Sequence, residues 1–247
     1  MTPSSYVREH QKLWALRSGK VFDDAGYVLQ PDDNLFEPLS AETIAEFNNA
    51  DGQELNPKGK NAAKMNALHS SSALAVNVFH YWRNRDKSSL AKALKIPSVS
   101  IREIRFEELA PISENVNRKK FPRDPNIDVV IEYQRGKPGL VGIESKFSEA
   151  YGKHEGLKDA YLEPELWDGL PNCLALAKEA SVPKVDGLNT PQLLKHLLGM
   201  KQSSGVSSFW LVYLWYASSG PEFGDHYSQL DEFIGTVPEY QAVLLYL

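Results

Sequence analysis

Three charged side chains interrupt two apolar, β-type runs in the segment PNIDVVIEYQRGKPGLVGIESKF, residues 125–147: Asp128 in the first run, Glu144 and Lys146 in the second. A half-buried carboxylate costs free energy unless it is paired or holds a metal, so this placement asks for a chemical reason. Alternate residues of a strand share a face. Glu144 and Lys146 therefore project together, with Val141, Ile143 and Phe147 on the other side. In the preceding run Ile127, Val129 and Ile131 share one face, and Asp128 shares the opposite one with Val130 and Glu132. The RGKPG turn between the runs closes a hairpin, which can set Asp128 beside Glu144 and Lys146. Two carboxylates held close repel, and one takes up a proton unless a cation sits between them. A divalent, oxygen-seeking ion, Mg²⁺ or Mn²⁺, meets that need. A neighbouring lysine can orient a water, help it lose a proton, or steady a developing oxyanion. Such a group suits hydrolysis of a phosphodiester. On charge alone, the competing reading is a plain Glu144–Lys146 ion pair on a solvated strand face.

These residues need elements to hold them. Residues 1–60 are rich in turn signals (DDAG, QPDDN, NNADG), with a short helix around Leu13, Trp14 and Leu16 and another from Ser40 to about Asn48. They read as an irregular extension packed on the core, not a separate domain. From Asn61 to about Asn84 the recurrence of Leu68, Ala75, Phe79 and Trp82 predicts one long helix, whose small-sided HSSSALAVN middle allows close packing. SVSIREIRFEEL alternates as a strand, with an irregularity near Arg102 and Glu103. It forms a meander with the two charged strands. Between residues 150 and 200 the helical signals are broken by prolines; the clearest piece is TPQLLKHLLGM, with Thr190 as cap and Pro191 in the first turn. SSFWLVYLWYA (207–217) suits a central strand covered on both faces. DHYSQLDEFIG predicts a last helix, and QAVLLYL a last strand or buried tail. The order predicts an α/β sandwich with a mixed sheet.

PNID, followed by ESK with sixteen residues from Asp128 to Glu144, resembles the PD-(D/E)XK signature of the restriction-endonuclease-like nuclease superfamily. The element order is similar to that superfamily's αβββαβ core over roughly residues 61–217, leaving 218–247 as a C-terminal helix and tail of the same single domain. The resemblance implies that Asp128 and Glu144 hold the metal and that Lys146 assists the water. Many members add a glutamate from the first core helix. Residues 61–85 contain none, so Glu54 is the expected third acid, with Glu107 and Glu108 as other options. Some relatives present a glutamine from the helix after the third strand, and Gln192 is the match here; the alternative is a polar residue that merely lies near a helix start. The basic loop Arg118, Lys119, Lys120 and Arg123 would hold a phosphate backbone, or is a solvated loop.

The expectation is thus a Mg²⁺- or Mn²⁺-dependent nuclease acting on DNA. The rival is a catalytically degenerate module of the same fold that binds nucleic acid or a protein partner. A homodimer is in view because restriction-type nucleases often pair. The net charge of −5 argues against a broadly basic nucleic-acid coat and not against a local patch. Cys173 is the only cysteine, which excludes an internal disulfide and a cysteine-cluster metal site and suits a cytoplasmic setting. No Gly-rich phosphate loop, no G-x-S-x-G elbow and no HExxH pair is present, so ATPase, serine-hydrolase and metalloprotease readings are set aside. No apolar run is long enough for a membrane span.

Overall fold

The computed structural model describes residues 2–50, 54–57, 59, 61–94, 101–112, 121, 123–133, 139–148, 154–183, 187–204, 209–216, 221–237 and 240–245. Helices α1 (Pro3–Arg17), α2 (Ala41–Asn49), α3 (Ser71–Phe79) and α4 (Ser88–Ala93) precede three strands, β1 (Ile101–Leu109), β2 (Asn126–Tyr133) and β3 (Leu140–Lys146). Helices α5 (Pro171–Glu179) and α6 (Thr190–Ser204), strand β4 (Phe209–Tyr216), helix α7 (Pro221–Thr236) and strand β5 (Tyr240–Leu245) complete the order. The strands form one sheet in sequence order. β1, β2 and β3 are an antiparallel meander, whereas β3, β4 and β5 run parallel and need helical crossovers.

Both faces of the sheet are covered. On one, Val129, Ile131, Val141, Ile143, Val212 and Leu214 pack against α2, α3 and α4. On the other, Val130, Leu211, Tyr213 and Trp215 meet α5, α6 and α7. Two buried faces explain why β4 reads as unbroken apolar sequence rather than alternating. Among the described residues, no helix is long and apolar enough to cross a membrane.

The N-terminal part is more regular than expected. α1 runs for fifteen residues, capped by the Thr2 hydroxyl, which accepts from Ser5 N, and opened by Pro3. Its buried side chains are Pro3, Val7 and Ala15, while Leu13, Trp14 and Leu16 face outward. Val7 packs with Phe147 and Tyr216, which ties α1 to the ends of β3 and β4. The long helix expected from Asn61 is shorter: a 3₁₀ turn at Lys64–Asn66 precedes α3, and Ser70 caps α3 by accepting from Ala73 N. A 3₁₀ turn at His80–Trp82 follows it. The expected irregularity in β1 is present as a register shift between Ile101 and Glu103.

Candidate active site

The β2–β3 ladder stops at Val129↔Ile143. Beyond it Asp128 turns its carboxylate onto the next strand, where Ser145 N donates to Asp128 Oδ2 over 2.7 Å. Strict alternation fails here. Ile127, expected to share a face with Val129, joins the opposite core with Val130, at a point where β2 is still paired with β1 but no longer with β3. Glu144 and Lys146 lie on the α6 side of β3, in register with Tyr213 and Trp215 of β4. Glu144 is 1% exposed. Its Oε1 pairs with Lys146 Nζ and accepts from Gln192 Nε2 at 2.8 Å. Its Oε2 accepts no hydrogen bond; His196 Nδ1 stands 3.3 Å away.

Gln192 is oriented from behind. Asn189 Oδ1 accepts from Gln192 N (3.2 Å), and Asn189 Nδ2 donates to Gln192 Oε1 (3.0 Å). Asn189, not Thr190, is therefore the residue that caps α6, and Thr190 is already helical. With its oxygen engaged by Asn189, the Gln192 amide turns its NH₂ to Glu144.

Asp128, Glu144, Lys146, Gln192, Glu54 and Glu107 line one cleft of about 590 Å³. Glu54 reaches it from the segment before α3, with Lys64 Nζ at 2.7 Å from Oε1 and Ser72 Oγ donating to Oε2 at 2.9 Å. Of the two alternatives to Glu54, Glu108 turns away to Arg105 at 3.1 Å, and Glu107 enters the cleft. Arg123 also lines it. Arg118, Lys119 and Lys120 lie outside the described residues. Arg8, Tyr27, Lys64 and His69 also line the cleft, as do Asp124, Asn126 and several serines. Sequence reasoning offered Glu107 only as an alternative to Glu54 and missed Arg8 as a site residue; the Thr2-Pro3 start of α1 is the signal that could have placed Arg8 on a helix.

The electrostatics are those of crowded acids. Burial, then the Glu144 and Glu107 carboxylates, push Asp128 well above the usual carboxylate range, against the opposing pull of Lys146 and the Ser145 N–H. Glu107 is pushed up to about 8 by burial and by Glu54, with Asn126 opposing. Burial holds the His196 imidazole below its usual range although Glu144 pulls it upward. A divalent cation would relieve this repulsion, and the donors are all hard oxygens. As the side chains stand, no group of three or more His, Cys, Asp and Glu among the described residues is arranged to hold a metal ion; the Lys146 amine sits on Glu144 Oε1.

The model of a family described as Restriction Endonuclease associating with ARP matches residues 5–234. No curated protein and no solved structure matches the chain.

Proposed function

The chain belongs to this restriction-endonuclease family, and from that premise we propose that it is a metal-dependent nuclease that hydrolyses phosphodiester bonds in DNA on a restriction-endonuclease-like core. The observation that carries the reading is the meeting of Asp128, Glu144 and Lys146 in one cleft. The order of one helix, three antiparallel strands, helices and a parallel strand supports it. On this reading residues 61–217 are the core of a single domain.

Asp128 and Glu144 would hold Mg²⁺ or Mn²⁺; Glu144 Oε2, which accepts no hydrogen bond, is the oxygen best suited to it. When bound, the ion neutralises phosphoryl charge and lowers the pKa of water. Lys146 would hold the attacking water and take part in its proton loss from a position beside Glu144. Gln192 fixes the plane of the Glu144 carboxylate. Arg123, with Arg118, Lys119 and Lys120, would grip neighbouring phosphates.

The test is cleavage of plasmid, linear and single-stranded DNA with Mg²⁺ or Mn²⁺ by wild type, Asp128→Ala, Glu144→Ala and Lys146→Ala. The expected result is cleavage by wild type alone. Equal cleavage by wild type and Lys146→Ala under every metal overturns the catalytic reading.

A second reading is favoured by the association named in the family description: the cleft is degenerate and the chain binds nucleic acid or a protein partner without cutting. Calorimetry with Mn²⁺ separates the two. Heat from wild type that Asp128→Ala abolishes supports the nuclease, and silence from both supports the binding module.

A further inference from the structure

We propose that Tyr27 and His69 form a base platform in the cleft, so that a DNA strand enters it unpaired, with a base stacked on the rings. The inference rests on the reading of this cleft as the place where a phosphodiester is cut, and it names the form of nucleic acid the cleft takes.

Tyr27 and His69 are the aromatic side chains of a cleft lined otherwise by charged groups, amides, hydroxyls and Ala67. Both are half-buried. Their rings meet edge to face, with centroids 6.3 Å apart and planes at 82°. Perpendicular rings close a corner, in which a planar base can lie on one ring and meet the other with its edge. The hairpin does not need Tyr27 for its own core. Phe22 and Val28, bridged across that hairpin, pack with Leu68 and with Ala15 of α1. Tyr27 precedes Val28, so alternation turns it the other way, onto the cleft wall.

The segments that carry the two rings are locked by their own hydrogen bonds. Tyr27 and Ala67 form an antiparallel bridge. Val28 N donates to Asn66 O and Leu68 N to Gly26 O, each over 2.9 Å. The buried Asn66 amide donates to the Val28 and Leu29 carbonyls at 3.0 and 3.1 Å. The buried Asn34 amide donates to the Met65 and Ala67 carbonyls at 3.0 and 2.7 Å. Asp23 Oδ1 accepts from Tyr27 N at 2.8 Å, and Gly26 takes φ 87°, which suits glycine. Two buried amides thus brace a short strip whose cleft side presents Tyr27 and, two residues past Ala67, His69. Rings held in advance lose little freedom when a ligand stacks on them.

Size and charge fit a strand rather than a double helix. The cleft of about 590 Å³ lies in the range of pockets that enclose small ligands, roughly 300–1,000 Å³. It admits a nucleotide and not a duplex. Arg8 and Arg123 line it together with the rings, and cations interleaved with aromatics are the pattern of single-strand binding, with the backbone on the charges and the bases on the rings. A duplex enters such a cleft only by opening, which costs stacking and pairing energy.

The test is fluorescence anisotropy in EDTA, so that nothing is cut, with a short labelled single strand, the matching duplex, and an abasic strand of the same length. Wild type is expected to bind the single strand about tenfold tighter than either of the others. Tyr27→Phe keeps the ring and is expected to bind as wild type does. Tyr27→Leu and His69→Leu keep bulk without a ring; each is expected to bind the single strand about tenfold more weakly, to bind the duplex unchanged, and to lose most of the preference over the abasic strand. Melting temperatures identify a variant that has lost its fold, and the other variant then carries the comparison. Equal affinity of wild type for the base-bearing and abasic strands, or wild-type affinity for the single strand in both Leu variants, overturns the platform; cleavage by wild type that Asp128→Asn abolishes leaves the nuclease reading standing. No cleavage by wild type under Mg²⁺ or Mn²⁺, with the ring-dependent preference intact, overturns the nuclease reading and leaves the platform as a binding site.

Discussion

Gln192 Nε2 donates to Glu144 Oε1 across 2.8 Å, which ties the first turn of α6 to the middle of the sheet. The contact is buried on the Glu144 side, and charge-assisted hydrogen bonds of this kind contribute about 1.5–3 kcal/mol. Gln192→Ala leaves Glu144 Oε1 to Lys146 alone. Cleavage is expected to fall roughly 10- to 100-fold in kcat/KM, with Mn²⁺ affinity reduced less. Gln192→Glu sets a second carboxylate against Glu144 and is expected to be worse than Ala. Steady-state kinetics on a defined duplex check the ranking.

Lys146 and Glu144 form a pair whose side chains are 12% and 1% exposed. Removing one partner of a buried pair strands the other charge, at a cost on the order of 3 kcal/mol. Lys146→Met is therefore expected to lower both stability and cleavage. The double variant Glu144→Gln with Lys146→Met removes the stranded charge and is expected to recover most of the stability and none of the activity. Urea unfolding of the two single variants and the double closes the cycle; additive losses would show that the pair is not coupled.

The shared direction of Glu144 and Lys146 was legible because alternate residues of β3 lie on one face, whereas the alternation expected around Asp128 breaks between Ile127 and Val129. The buried β4 was legible from its length and continuous apolarity. Other features escaped for physical reasons. α1 turns its small residues Val7 and Ala15 inward and leaves Leu13 and Leu16 outside, the reverse of what a hydrophobic pattern suggests. The cap of α6 is Asn189 because its amide matches both the N–H and the side chain of Gln192, a reciprocity that spacing alone does not separate from Thr190. Glu107 and Glu108 are adjacent and identical in sequence. Only the left-handed backbone at Glu107 decides which one enters the cleft, and no residue type announces it.

His226 reports on the core between the sheet and α7, on the same face as α6. Burial, with His154 adding to it, holds its imidazole down to about 4, and its Nε2 lies 3.2 Å from the Tyr213 hydroxyl. An unfolded histidine titrates near 6.5. Below that pH the unfolded chain gains a proton that the folded chain refuses until about pH 4. The contribution to stability is therefore complete above pH 6.5 and is lost as pH falls toward 4, on the order of 1–3 kcal/mol. His226→Gln keeps an acceptor for Tyr213 and cannot titrate. Its unfolding free energy is expected to fall less than that of wild type between about pH 7 and about pH 4; parallel profiles would remove His226 as a source of acid lability.

Arg8 and Arg123 face the cleft from α1 and from the segment before β2. A phosphate contact made by either releases counterions, so each Arg→Ala variant is expected to weaken DNA binding at low salt and to flatten the slope of log K against log salt by about one. The loss is expected to be the same for unrelated sequences, because phosphates carry no base information. Fluorescence anisotropy across a salt series measures it. An unchanged slope in both variants would place the backbone path elsewhere.

Gly199 sets how closely α6 approaches the sheet. A Cβ there would lie 2.6 Å from the Ala110 carbonyl oxygen and 2.7 Å from Ala110 Cβ. The obstacle is backbone just after β1 and cannot rotate away. Gln192, His196 and Gly199 are spaced by four and three residues and so share one face of α6. Gly199→Ala must therefore push away the same face that holds Glu144. Alanine gains about 1 kcal/mol of helix propensity over glycine, which opposes an overpacking cost of about 1–3 kcal/mol. A contact this short against backbone favours the upper end, so a net loss of stability and a lower melting temperature are expected. Gly142→Ala is the comparison. Its added Cβ meets the side-chain end Leu211 Cδ2 at 2.9 Å, with Ile127 Cγ2 and Met200 Sδ at 3.3 Å, and such atoms can yield. The variant at 199 is expected to be the less stable of the two and to lose Mn²⁺ affinity as Gln192 and His196 move. If Gly199→Ala melts at or above the wild-type temperature, α6 does not press on Ala110, and the support behind the Gln192–Glu144 contact must be sought in the Asn189 cap alone.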